Sequence, residues 1–87
     1  MNNDKIFADD YVHLRPDGLF DNRVKIEKAL RALSGVFSVH FDADELRHAV
    51  FIAYNPEVVA SETILEIIRK SYAKAVKVAS ILMRVRS

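Results

Sequence analysis

The sequence predicts an α+β domain whose elements follow the order β-α-β-β-α-β. One segment repeats apolar residues at the helical spacing i, i+3, i+4, i+7 and a second carries an apolar stripe on one helical face, while four others alternate with the period of two that is typical of strands. The chain has 87 residues, of which 51% are hydrophobic and 29% charged, and this is the balance of one small folded domain.

The first strand is predicted over residues 11–15, where Val12 and Leu14 alternate with neighbours that face the other way. Residues 1–10 come before it, and we expect them to form a flexible polar lead-in. The strand ends at Pro16, because proline has no backbone N–H to donate.

The two helices are predicted from their caps and apolar stripes. Asp21 or Asn22 can cap the first helix, and Gly35 can end it in a left-handed conformation. The stripe of this helix consists of Ile26, Ala29, Leu30 and Leu33. The second helix begins at Ser61, its predicted N-cap, and runs to about Ser71. Its stripe consists of Ile64, Leu65, Ile68 and Tyr72.

The remaining strands complete one sheet. Residues 36–41 and 48–54 form a hairpin joined by a charged turn. The fourth strand begins near Ala75, so the domain is placed at residues 11–79, and residues 80–87 are interpreted as a strand extension or a tail. With right-handed crossovers, the four strands form an antiparallel sheet with both helices on one face, which is the ferredoxin-like two-layer sandwich.

Composition excludes several kinds of site. The chain has no Cys, which rules out disulfides, thiolate zinc sites, iron–sulfur clusters and a cysteine nucleophile. A net charge of +1 argues against a strongly electrostatic nucleic-acid binder. The sequence has no Gly-rich phosphate loop and no paired-carboxylate motif, so we do not expect an enzyme.

No segment is long enough to cross a membrane. The longest apolar run extends from Ala49 to Tyr54, far short of the ~20 residues that span a bilayer. We therefore expect a soluble, cytoplasmic protein.

Several segments within residues 11–79 share the order and spacing of one known family. They are Lys25–Leu30, Leu33–Val39, Ile52–Pro56 and Ser71–Tyr72, with Ser61, Ile64 and Ile68. Together they resemble the heavy-metal-associated domain family. The resemblance implies the ferredoxin-like fold. The family carries a Met-x-Cys-x-x-Cys loop before its first helix, and the two thiolates of that loop bind Cu(I) or Zn(II).

In this sequence the Met position of that motif falls on Asp17, and the two Cys positions fall on Leu19 and Asn22. Leucine cannot ligate a metal, and asparagine offers only a carbonyl oxygen. The thiolate site is therefore absent, and no cofactor is predicted. Family members dock with partners around this loop, so the resemblance implies an interaction surface formed by Asp17, Leu19, Asn22 and Tyr72.

Other metal ligands leave two alternatives open. Asp17, Asp21 and Asn22 carry oxygen atoms that suit a hard cation, although turns and helix caps favour the same residue types. His13 and His40 are expected on the sheet face opposite the helices with the third strand between them. At about 10 Å they cannot share an ion within one subunit, whereas a site across a dimer interface stays open.

The open face of the sheet is the other candidate surface. If Val50, Ile52 and Tyr54 point toward the helices, Phe51 points away from them, near Tyr11. Apolar patches of this kind often mark interfaces. Another subunit, residues 80–87 or a nucleic acid could each cover it.

RNA-recognition motifs have the same element order and stack bases on aromatic residues of the first and third strands. Residues 47–54 partly resemble their third-strand signature. However, His48 stands where that signature has Gly, and Ala49 stands where it has a stacking aromatic residue.

The sequence therefore predicts a non-catalytic protein-interaction or self-association module, with a protein partner or a homodimer. The candidate residues on the open face are Tyr11, His13, His40 and Phe51. One alternative is an atypical metal-binding or metal-trafficking protein with His or carboxylate ligands. A second alternative is an RNA binder similar to the RNA-recognition motif.

Overall fold

The structure, a computed structural model, describes residues 5–16, 22–44 and 47–85. Its six elements follow the predicted order. They are β1 (Lys5–His13), α1 (Arg23–Arg31), β2 (Val36–Phe41), β3 (Ala49–Tyr54), α2 (Ser61–Arg69) and β4 (Val76–Val85).

The four strands form a single antiparallel sheet with the order β2-β3-β1-β4. β1 and β3 therefore lie in the centre, and β2 and β4 form the edges. Val12 and Val50 lie opposite each other and join both helices in one apolar core. The prediction of an α+β domain with a four-stranded antiparallel sheet is confirmed.

The core contains most of the two predicted apolar stripes. The fully or almost fully buried members are Ile26, Leu30, Ile64, Ile68 and Tyr72. Leu33 and Leu65 pack at the margin of the core, whereas Ala29 is exposed. Burying a side chain of leucine size contributes about 1.5–3 kcal/mol, so these stripes hold both helices on the sheet.

β1 begins well before the predicted position. Residues 5–10, part of the predicted lead-in, belong instead to β1, one of the two central strands of the sheet. Ala8 and Asp10 continue the buried face of Val12. Asp10 interrupts the apolar alternation at a core position, and the sequence therefore predicts a shorter first strand than the structure shows.

β4 extends through Val85, so residues 80–85 are strand rather than a loose tail. Its pairing with β1 continues to Lys5, while the pairing of β1 with β3 begins only at Ala8. Residues 5–7 and 83–85 consequently form a two-stranded ribbon beyond the end of β3. This ribbon contributes to the elongated shape, whose extents are 51 × 22 × 17 Å.

A register shift at the start of β2 changes the expected alternation. Val36 lies opposite Tyr54, but Ser38 lies opposite Ala53, so Phe37 is an extra residue in the ladder. Phe37 is 60% exposed, although period two would place it with buried Val39. Gly35, just before the shift, has the predicted left-handed backbone, with φ of +92°. It does not end α1, however, because the helix stops at Arg31 and Ala32 is its C-cap in an ordinary right-handed conformation.

Candidate functional site

Three aromatic side chains form a row across the sheet face opposite the helices. Tyr11 lies directly opposite Phe51, and Phe51 lies opposite His40. The ring centroids are 4.8 Å apart for Tyr11 and Phe51 and 6.4 Å apart for His40 and Phe51. We call these three residues the aromatic row. Phe51 thus lies on the predicted face, but it and Tyr11 are both half-buried.

The cross-strand pairs beside the aromatic row combine two Ala residues with one Asp and one His. Asp9 and Ala53 form the next cross-strand pair on one side of it, and His13 and Ala49 form the next pair on the other side. Ala49 is buried. None of these flanking positions carries a Lys or Arg.

The two histidines of this face lie apart. His13 is on β1 and His40 on β2, and β3 separates the two strands. Two interstrand spacings amount to about 10 Å, so the rings cannot ligate one ion in a single copy. Within the described ranges, no group of three or more His, Cys, Asp or Glu side chains could hold a metal ion.

The structure brings together two of the four residues of the predicted interaction loop. The backbone N–H of Asn22 donates a 3.0 Å hydrogen bond to the Tyr72 hydroxyl. Tyr72 is only 6% exposed, so its ring belongs to the core, and its hydroxyl fixes the start of α1. Asp17, Leu19 and the predicted cap Asp21 lie outside the described residues. The loop as a docking surface stays a prediction.

A polar cluster lies inside the core under the start of α2. The Asp10 carboxylate is 1% exposed and accepts hydrogen bonds from three hydroxyl groups. The donors are Tyr54 at 3.1 Å, Ser61 at 2.6 Å and Ser80 at 2.5 Å. Lys77 Nζ donates to Ser61 Oγ at 3.0 Å. We call these five residues the Asp10 cluster.

The Asp10 cluster satisfies a charge that would otherwise be costly to bury. It joins β1, β3, β4 and the N-terminus of α2, where the helix dipole also favours a carboxylate. Burial, with a further contribution from the Asp10 charge, raises the pKa of Tyr54 above its ordinary value. Each of the three hydroxyl groups donates to the carboxylate, so the cluster's observed contacts are those of a structural network.

Sequence reasoning missed the Asp10 cluster, although one signal could have revealed it. Ala8, Asp10, Val12 and Leu14 occur at a spacing of two, so Asp10 falls on the core face. Ser61 was predicted to cap α2, but Ala60 holds the N-cap position and makes no side-chain cap bond. The Ser61 hydroxyl donates to Asp10 instead.

Exposed apolar side chains concentrate on β4. Four of the seven large apolar side chains that are exposed in the described ranges lie on this strand, namely Val76, Val78, Ile81 and Leu82. Leu82 is the most exposed of the four, at 69%. β4 is also an edge strand, and among the described residues one side of its backbone has no strand beside it.

The opposite edge of the sheet is protected. Arg31 Nη2 donates a 3.0 Å hydrogen bond to the carbonyl oxygen of Val39, in the middle of β2. The same guanidinium group is held by Glu27, one turn earlier on α1. This contact and the irregular pairing at Phe37 hinder another strand from pairing with the β2 edge, as bulges and charged side chains commonly do.

An open groove of about 250 Å³ lies between α1 and β2. Its lining consists of Arg23, Val24, Glu27 and Phe41. This lining has no convergent set of polar groups such as small-molecule sites use for orientation, so we assign no ligand to it.

None of the described helices is both long and apolar enough to pass through a membrane.

Comparison with models of known protein families gives no match, and no curated protein matches the chain significantly.

Proposed function

We propose that the chain is a non-catalytic protein-interaction module that associates with a second copy of itself through its sheet. The observation that carries the proposal is the concentration of exposed apolar side chains on β4, an edge strand. Monomeric proteins normally protect such edges with charges, prolines or cover from other elements.

The scaffold of the proposed module is the ferredoxin-like sandwich, in the form resembling the heavy-metal-associated domain without its thiolate pair. The strand order β2-β3-β1-β4 and the core shared by both helices support this reading. Leu19 and Asn22 occupy the motif's Cys positions, so a contact with protein suits the chain better than the transfer of a soft metal ion.

The aromatic row gives some support to the RNA alternative, because RNA-recognition motifs use the corresponding strands for stacking. Binding of this kind also requires cations for the phosphates. The described positions next to the aromatic row carry Asp9 and no Lys or Arg, so the charge around the row favours a protein contact. A metal ion shared by His13 and His40 would require a second copy, since the two lie on non-adjacent strands.

The direct test is the mass of the protein in solution, measured by sedimentation from micromolar to millimolar concentration. We expect a reversible monomer–dimer equilibrium. Amide NMR spectra over the same range should shift for residues of β4 and remain constant for exposed positions such as Glu62. A monomeric mass and invariant spectra at every concentration would contradict the proposal.

The two alternatives have their own NMR titrations. Shifts of His13 and His40 on adding Zn²⁺, Cu²⁺, Ni²⁺ or Co²⁺ would favour metal binding. Shifts of Tyr11 and Phe51 on adding mixed single-stranded RNA would favour the RNA binder.

A further inference from the structure

We infer that two copies of the chain pair antiparallel along their β4 edges and form one continuous eight-stranded sheet. This inference rests on the proposed self-association and specifies its geometry. The pairing order would be β2-β3-β1-β4 followed by the same order reversed in the second copy.

The two edges of the sheet are unequal, and this asymmetry points to the partner. β2 has six residues, an irregular pairing at Phe37, and a carbonyl oxygen at Val39 that binds Arg31. β4 has ten residues and carries exposed Ile81 and Leu82. Among the described residues β4 is the edge strand without such protection, and pairing it with its own copy gives a closed two-fold dimer, because each copy uses the same edge.

The single charge among Val76–Leu82 does not block this edge. Lys77 lies opposite Val12, whose side chain is in the core, so Lys77 is on the helix side of the sheet. Its ammonium group donates to the hydroxyl of Ser61. It is therefore held toward α2 rather than across the path of an approaching strand.

The ribbon beyond β3 gives a second reason for pairing. Residues 5–7 and 83–85 pair only with each other in the described ladders, and a two-stranded ribbon is marginally stable in water. Antiparallel pairing would place the 83–85 end of β4 beside the opposite half of the partner's β4. Each ribbon would then become part of a wider sheet.

Symmetry limits the register. A two-fold axis perpendicular to the sheet keeps the same sheet face upward in both copies. Each residue of β4 must therefore lie opposite a residue of the second copy whose side chain is on the same face. The ladder with β1 is regular beyond the shift near Tyr11 and Val12, from Ala79 to Val85. Within this regular stretch the exposed large apolar side chains that the structure describes are Ile81 and Leu82, so we centre the axis at Ile81 or Leu82. If the axis passes at Ile81, the two copies of residue 81 lie directly opposite each other. If it passes at Leu82, they are diagonal neighbours about 7–8 Å apart.

Side-chain burial agrees with this axis. Ile81 lies opposite Asp9 on the open face, and Leu82 lies opposite Ala8 on the helix side. Pairing at these positions would cover one exposed apolar residue on each side of the sheet. An edge contact is smaller than a standard interface of about 1,600 Å², so we expect a dissociation constant in the micromolar range.

A charge swap at Ile81 tests the inference. Ile81→Lys and Ile81→Glu each place like charges at the axis and should weaken dimerisation about tenfold or more. Mixing the two variants should restore a dimer with one copy of each, measured by sedimentation and by native mass spectrometry. Phe37→Lys is the matched control, because Phe37 has nearly the same exposure, 60% against 59% for Ile81, and lies on the other edge strand.

Each outcome is informative. If the wild type is monomeric throughout, both the inference and the proposed function fail. If the wild type dimerises but Ile81→Lys dimerises equally well, the proposed function stands and the β4 pairing is wrong. If both single variants are monomeric and their mixture stays monomeric, the two-fold register is wrong. Circular dichroism should show that all the variants retain their fold.

Wild-type amide hydrogen exchange provides a measurement that needs no variant. The outward N–H groups of β4 should exchange more slowly as concentration rises, whereas the β2 amides should not change. Equal exchange rates in β4 at all concentrations would overturn the edge pairing.

Discussion

The carboxylate of Asp10 and the hydroxyl of Ser61 are joined by a 2.6 Å hydrogen bond, although 51 positions separate them in the chain. The bond connects the central strand of the sheet to the first residue of α2. Because Tyr54 and Ser80 donate to the same carboxylate, one acidic side chain on β1 connects β3, α2 and β4 by hydrogen bonds.

Replacing this carboxylate should be costly. We expect Asp10→Ala to lower the free energy of unfolding by about 3 kcal/mol, because three hydroxyl groups lose an ionised acceptor. Asp9→Ala, the next residue on the same strand but on the opposite face, should change it by less than about 0.5 kcal/mol. Urea unfolding of both variants measures the difference, and similar losses for the two would contradict the role of Asp10.

The raised pKa of Tyr54 predicts a dependence on alkaline pH. Burial is the largest cause of the shift, and the folded state therefore holds the phenol proton more tightly than the unfolded state. The corresponding stability is present below the unfolded pKa of about 10 and is lost as pH rises through the folded pKa.

Tyr54→Phe isolates this effect, since phenylalanine has no proton to release. Above about pH 10, we expect the wild type to lose stability with rising pH more steeply than Tyr54→Phe. Unfolding curves at a series of pH values give both slopes, and parallel slopes would show that the Tyr54 pKa is not raised.

Two substitutions at Tyr72 separate its ring from its hydroxyl. Tyr72→Phe removes the acceptor of the Asn22 N–H and should cost about 1 kcal/mol. Tyr72→Ala also empties a core position and should cost about 3–5 kcal/mol. Thermal and urea unfolding measure both, and a small loss for Tyr72→Ala would mean that the ring is not part of the core.

Gly35 should resist substitution for two separable reasons. Its φ of +92° disfavours any residue with a Cβ, and that Cβ would lie 2.8 Å from Val58 Cβ. We expect Gly35→Ala to destabilise the fold by at least about 1–2 kcal/mol. The double variant Gly35→Ala/Val58→Gly, compared with Val58→Gly alone, lacks the contact with the Val58 side chain but keeps the backbone cost of the positive φ. If Gly35→Ala causes no loss of stability in the Val58→Gly background, the positive φ contributes nothing.

Much of the fold could be predicted from the sequence because the helices and β3 follow simple periodicities. Ile26 and Leu30, like Ile64 and Ile68, occur at helical spacing and are buried. The start of β1 was missed because Asp10 stands at a core position, where an ionised side chain is allowed only by donors from β3, α2 and β4. Such partners are distant in sequence, and no local pattern reveals them.

The candidate surfaces could be predicted only in part. The alternation of β3 correctly placed Phe51 with Tyr11 on the open face. The apolar edge was missed because its exposure depends on strand order and on the length of β4. Phe37 illustrates the same limit, since a one-residue shift in pairing moved it from the expected face to an exposed position.

The ribbon has a consequence for engineering the chain. Lys5 and Val85 are paired neighbours, so in a chain trimmed to residues 5–85 a connection of about two residues would join these positions as a tight turn. New ends opened in the charged turn between β2 and β3 would then give a circularly permuted protein with the same sheet order. Its stability would report how far the native connectivity, as distinct from the contacts, determines this fold.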